Sequence, residues 1–185
     1  MTTARIIGNV VAFQVGWFAC ILGAANGLPW IGTGAALAIV GWHLSYATHP
    51  RAELMLLATA AGIGALWDSA LVAAGWIHYP NGTLLAGTAP HWIVALWILF
   101  ATTLNVSLAW LKRNIPMAVA FGLIGGPLAY YGGAKLGALT LVEPMLGLCA
   151  LAIGWAVLTP LLLRIADRFN GFVADQERTG EARHA

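Results

Sequence analysis

Six apolar stretches, each roughly twenty residues long and nearly free of charge, follow one another along this chain, a length that as α-helix matches the hydrocarbon thickness of a bilayer. They run from about Ile6 to Ala25, Trp30 to Ala47, Ala52 to Ile77, Pro90 to Leu111, Ile115 to Leu136 and Pro144 to Ile165. Backbone groups have no water to bond to in lipid, so such stretches form helices that satisfy them internally. Pro29, Pro90, Pro116 and Pro144 fall at the expected helix starts, where a missing N–H costs nothing. Composition agrees. Of 185 residues 60% are hydrophobic and 9% are charged, against about 45–50% and about 25% in ordinary soluble domains. Mean hydropathy is +0.80. These values exclude an ordinary soluble enzyme, a nucleic-acid-binding protein and a disordered regulator. The expected fold is all-α: a polytopic membrane protein with six transmembrane helices. Residues 1–166 form one transmembrane domain, and 167–185 form a short charged tail that reads as solvated and fraying.

Basic residues orient the bundle, because cytoplasmic loops collect them. Arg5, Arg51, Lys112, Arg113, Arg164, Arg168, Arg178 and Arg183 fall on one side and only Lys135 on the other. Both termini are therefore expected in the cytoplasm. The loops at Asn26–Pro29, His78–Pro90 and Gly137–Glu143 then face outward. Arg5 and the apolar run behind it superficially resemble a signal peptide. Trp17-Phe18-Ala19-Cys20 echoes a lipoprotein cleavage box, but bulky Trp17 stands where a small aliphatic residue is usual. The run is read as a retained first span. Cys20 and Cys149 both lie inside apolar runs and are expected to pack as small hydrophobes.

Gly122 and Gly126 form a GxxxG pair, and Gly125, Ala129, Gly133 and Gly137 extend a ladder of small residues at four-residue steps. Such ladders let helices approach closely in lipid. Gly23 and Gly27 make a shorter pair. Packing within the chain is the expected use, a homodimer seam the alternative. Gly125-Gly126-Pro127 predicts a kink in the fifth helix.

Asp68 is the most informative residue. It lies about 24 Å along the third span at 1.5 Å per residue, where a carboxylate costs about 2.5–3.5 kcal/mol to insert at the centre of a helix. Ala61, Gly64, Ala65, Val72 and Gly75 share its face, so it is expected to point into the bundle. A functional role and a hydrogen-bonded structural one are both open. On the outward side His78, Tyr79, His91, Trp92, Tyr130, Tyr131, Lys135 and Glu143 form a possible constellation. Trp30, Trp76, Trp92, Tyr130 and Tyr131 equally suit the aromatic belt of a membrane interface, and Lys135 and Glu143 suit snorkelling to headgroups. The cytoplasmic half carries Gln14, His43, Arg51, Glu53 and Asn105. Gln14, His43 and Asn105 lie inside spans and can hydrogen-bond between helices; Arg51 and Glu53 read as charges of a loop and a helix start. The candidate binding pocket is thus Asp68, Gln14, His43, Asn105, His91, Trp92 and Tyr130, with no catalytic residue assigned.

The five histidines, His43, His49, His78, His91 and His184, contain no pair at the helical spacing of a metal site. No CxxC, P-loop, GxSxG or dinucleotide fingerprint occurs. No cofactor and no metal are expected. Asn81-Gly82-Thr83 matches a glycosylation triplet but reads more simply as a turn.

Phe13-Gln14, Trp17-Phe18 and Gly23-Ala24-Ala25 resemble the opening of the bacterial membrane proteins grouped as Domain of Unknown Function 2878. His43-Leu44, Arg51 with Glu53, and Asp68 are similar to the next features of that family. So are Ala89-Pro90 before Trp92, Leu96-Trp97, Trp110-Leu111, and Gly125-Gly126-Pro127 with Tyr130 and Gly133. The resemblance covers about Asn9 to Gly137 and carries no established catalytic residues. It implies a small multi-pass protein of the bacterial inner membrane, with a link to fatty-acyl modification and photo-oxidative stress. The expected function is an accessory or binding component in membrane-lipid or envelope-stress physiology. Its expected partners are membrane lipids, with a second copy or a lipid-modifying enzyme as further possibilities and no nucleic acid. The alternatives are a small transporter or exporter subunit using Asp68 and a cofactor-free membrane enzyme using Asp68, a histidine or Glu143 as acid or base.

Overall fold

A computed structural model describes residues 2–172. It contains six α-helices: α1 Thr3–Ala25, α2 Pro29–Ser45, α3 Pro50–Ala73, α4 His91–Leu104, α5 Ile115–Lys135 and α6 Pro144–Arg168. Helices α1, α3, α5 and α6 are long and apolar enough to cross a membrane; α2 and α4 are shorter. The protein is an all-α polytopic membrane protein. Large apolar side chains such as Ile7, Val15, Leu66, Leu128 and Ile153 face outward, as a lipid solvent requires.

Local chemistry sets the helix ends. Pro29, Pro50, Pro116 and Pro144 open helices, while Pro90 is itself the residue that precedes α4. Helices α1, α3 and α5 stop in one way, at Gly27, Gly75 and Gly137 with φ of +74°, +74° and +88°. In α1 the Gly27 N–H donates to Ala24 O and the Leu28 N–H to Gly23 O, which closes the last turn by the Schellman pattern. Gly27 therefore ends a helix and does not pack as half of a small-residue pair. A two-residue antiparallel ribbon, Ile77–His78 with Thr140–Leu141, ties the α3–α4 loop to the α5–α6 loop.

The fourth helix is shorter than the apolar run that encodes it. Thr102 and Thr103 donate their hydroxyls to Leu99 O and Phe100 O at 2.7 and 2.6 Å, competing with the helical ladder. Asn105 caps the end, and a separate 3₁₀ turn, Ala109–Arg113, follows. At the sixth helix the correction runs the other way. The expected tail from 167 begins inside α6, and residues 169–172 pack back on the bundle; residues 173–185, including His184, lie outside the described residues.

Helix α4 is the hub. It packs against α1, α2, α3 and α6 and buries Trp92, Trp97, Leu99, Ala101 and Leu104. Around it the perimeter runs α1, α2, α3, α6, α5 through successive neighbours. The ring does not close. Near one end of α5, Trp17 and Ile21 of α1 meet Gly132 and Gly133 at 3.7 and 3.1 Å from a would-be Cβ. Residues of both helices line a cavity between them.

Glycines in this fold seat indole rings as often as they seat backbones. A Cβ on Gly64 would strike Trp97, one on Gly126 would strike Trp155, and one on Gly154 would strike Trp67. Gly122 and Gly126 both turn to α6 of the same chain, so the GxxxG pair serves packing within the chain. The rest of the ladder divides: Gly125 and Ala129 line the cavity, Gly133 meets Ile21 and Leu139, and Gly137 is a helix stop. Gly32 of α2 sits directly against the Cys20 backbone of α1. Cys20 is buried there and Cys149 is exposed; both are free thiols.

Candidate functional site

Asp68 points inward from α3, as its small-residue face requires, and is fully buried. Three neutral donors converge on it. The Tyr79 hydroxyl donates to Oδ1 at 2.7 Å and the Trp97 Nε1–H to Oδ2 at 2.7 Å. The Tyr130 hydroxyl lies 2.8 Å from Oδ1 and 3.0 Å from Oδ2. No cation pairs with the carboxyl among the described residues. Four segments of chain thus meet at one group: α3, the loop after it, α4 and α5. Gly64, one turn before Asp68, makes the arrangement possible by leaving room for the Trp97 ring. That ring stacks on Trp155 at 4.5 Å, and Phe100 meets Trp155 edge-on. Burial first, and then the Asp68 carboxylate, hold the Tyr79 phenol well above its ordinary value, so Tyr79 stays a donor.

On the far side of Tyr130 and Trp97 lies the cavity left by the open ring, about 500 Å³ in volume. Helix α1 contributes Phe13, Gln14 and Trp17, α4 contributes Leu96 and Phe100, α5 contributes Gly122, Gly125 and Ala129, and α6 contributes Trp155 and Thr159. Val10, Phe121 and Leu128 both line it and stand exposed on the outer surface, so the cavity opens sideways between α1 and α5. Its wall is apolar apart from Gln14 and a few hydroxyl-bearing residues. Asp68 does not line it; Tyr130 and Trp97 separate the carboxyl from it.

The seven candidate residues do not form one pocket. Asp68 and Tyr130 share the carboxyl cluster, and Gln14 joins Tyr130 only as a wall of the cavity. His91 stands elsewhere, bonded through Nδ1 to Thr33 Oγ1 at 2.7 Å and stacked under Trp30 at 3.9 Å. Trp92 donates to Asn81 O at 2.9 Å and packs edge-on against Tyr79. Asn81 in turn donates to Ala24 O, so the Asn-Gly-Thr triplet is a structural turn with Gly82 at φ +85°. The outward constellation therefore divides: Tyr79 and Tyr130 meet Asp68, Lys135 sits over the Tyr131 ring at 5.2 Å, Glu143 precedes α6, and His78 lies in the ribbon.

His43 and Asn105 belong to a third place, at the basic end of the bundle. Both bond Glu53, which is fully buried and not an exposed helix-start charge. His43 Nε2 lies 3.0 Å from Glu53 Oε2, and the Asn105 amide donates to Oε1. The Gly171 N–H also donates to Oε1, at 2.9 Å, and Lys112 links Asn105 Oδ1 at 2.6 Å to Asp167 at 3.0 Å. Four separate segments are stapled there. Burial of Glu53 follows from the return of residues 169–172, which no local pattern near position 53 announces. Arg51 stays exposed. Tyr79 as a ligand of Asp68, Trp97, Trp155 and Thr159 were not among the seven. Their aromatic or hydroxyl character is ordinary for a membrane helix, so only spatial convergence marks them.

An apolar helical bundle with a cavity open on its flank and a buried carboxyl behind the cavity wall defines an all-α polytopic membrane protein with an internal cavity. The chain belongs to the family described as protein of unknown function DUF2878, whose sequence model matches residues 6–161 and so takes in most of α6 beyond the resembling stretch. No curated protein and no solved structure matches it.

Proposed function

We propose that this protein binds an acyl chain of a membrane lipid in the cavity between α1 and α5, as an accessory component of fatty-acyl modification or of the response to envelope and photo-oxidative stress in a bacterial inner membrane. The cavity itself carries the reading: about 500 Å³, walled by Phe13, Trp17, Leu96, Phe100 and Ala129, and open on the flank of a membrane bundle. Sites for small ligands are concave and mostly apolar, with a few placed polar groups. An opening at Val10, Phe121 and Leu128 admits a ligand already dissolved in the bilayer. Residues lining α1 from Val10 to Ile21 span about 17 Å at 1.5 Å per residue, a long slot that suits a chain better than a compact solute. The link to acyl modification comes from the family resemblance and not from the site.

The test is lipid retention. Purified in mild detergent and examined by native mass spectrometry, the protein should carry phospholipid. Gly125→Phe, which fills the slot from α5, should lose most of it, while Gly34→Phe, on the open face of α2, should not. Equal retention by all three proteins overturns the reading.

A transporter reading has one specific support, the buried Asp68 with no basic partner among the described residues, since intramembrane carboxyls mark proton and ion paths. It requires solute movement in reconstituted vesicles that an uncoupler abolishes and Asp68→Asn removes.

A further inference from the structure

The two ends of the cavity are unlike. Along its lining face on α1 the side chains become steadily less accessible. Val10 is 45% exposed, Gln14 is exposed, Trp17 is half-buried and Ile21 is 2% exposed. The facing wall changes in step. Ser107 and Leu108, just past the basic end of α4, are half-buried, while Ile93 at its other end and Leu139 after α5 are both 4% exposed. Helix contacts account for the difference. Trp17 and Ile21 close on Gly132 and Gly133, whereas a Cβ on Gly125 would meet only Phe121 of its own helix. Helices α1 and α5 therefore meet towards the Lys135 end and leave the flank uncovered from Leu128 back to Phe121.

Polarity follows the same axis. Gln14, Thr103 and Ser107 lie on the open side, and Ile21, Ile93 and Leu139 wall the blind end. The Tyr130 hydroxyl nearby is committed to Asp68. A headgroup pushed into the blind end would lose water and gain no partner; the methyl end of a chain loses nothing there. Depth agrees. Val10 is seven residues from the start of α1 and Phe121 six from the start of α5, about 10 and 9 Å at 1.5 Å per residue. Half of a hydrocarbon core is about 15 Å, so the mouth begins within the leaflet at the basic end.

We infer that the cavity takes its lipid tail first from the leaflet at the basic end. The methyl end of the chain rests against Ile21 and Ile93, and the ester and headgroup stay outside Val10 and Phe121. The charge asymmetry makes that leaflet the cytoplasmic one. This deepens the proposed lipid binding and rests on it.

The experiment maps the chain by photolabelling in lipid nanodiscs. Two phosphatidylglycerol probes carry a diazirine in one acyl chain, either beside the ester or at the methyl end, and adducts are located by mass spectrometry. Ile21 and Ile93 are buried from surrounding lipid, so only a chain inside the slot reaches them. The methyl-end probe should label this pair and the ester-side probe should not. Gly125→Phe, which blocks the slot midway, should lose most of that label. Label on the pair from the ester-side probe, or adducts of both probes that stop short of it at Phe13 and Leu96, overturns the inference and leaves lipid binding standing. No adduct inside the slot from either probe, or label on the pair that survives in a folded Gly125→Phe, overturns both.

Discussion

Around Asp68 every neighbour is a donor, and that decides what the position tolerates. Tyr79, Trp97 and Tyr130 together bring three polar hydrogens to a group that only accepts. Asparagine is close in shape but adds two donors and removes an acceptor, so at least one hydrogen of the cluster loses its partner. Each such buried donor is worth about 1–3 kcal/mol. Asp68→Asn should therefore insert but melt at lower temperature in detergent, and Asp68→Val, which leaves all three donors unmatched, should melt lower still. A thermal unfolding series by circular dichroism checks the order; an Asn variant as stable as wild type would contradict the donor count. That Asp68 faces inward was legible from Gly64 and Ala65 on its helical face. Its partners were not, because Tyr130 lies 62 residues away and no periodicity relates them.

Among the helices, burial patterns follow from what surrounds each one. Helix α4 is enclosed on most sides and α1 on few, though both read as apolar runs, since lipid and protein interior select the same side chains. The same ambiguity hides why a glycine is present. Gly64, Gly126 and Gly154 meet indole rings while Gly32 meets backbone, and both uses demand only the missing Cβ. At the basic end, Glu53 holds α2, α3, the α4 terminus and residues 169–172 together. Glu53→Ala leaves the Gly171 N–H and the Asn105 amide without their acceptor, so the segment after Arg168 should detach. Limited trypsin digestion should then cut after Arg168 severalfold faster than in wild type, with the exposed Arg51→Ala as a control at the wild-type rate. Unchanged cleavage in Glu53→Ala would mean that the segment is held by other contacts.

For the whole molecule, the charge asymmetry along the chain leads to a topology. Contacts gather the basic residues at one end: Arg5 lies over the Tyr46 ring at 5.1 Å, and Lys112 pairs with Asp167. Lys135 stands at the other, over Tyr131. Reporter fusions after Pro50 and Asn114 should read as cytoplasmic, and fusions after Gly82 and Ala138 as periplasmic. A periplasmic signal after Asn114 would contradict the assignment and show that α4 does not cross. The membrane class, the succession of six helices and the inward face of Asp68 were determined by the sequence alone, because apolar length, proline and glycine stops, and the cost of a buried charge all act within one segment. The open ring between α1 and α5, the donor cluster on Asp68 and the clamp on Glu53 were decided only by tertiary structure. Each depends on which helices become neighbours, and in lipid that choice rests on shape and on a few hydrogen bonds between distant residues, which leave no periodic trace in the chain.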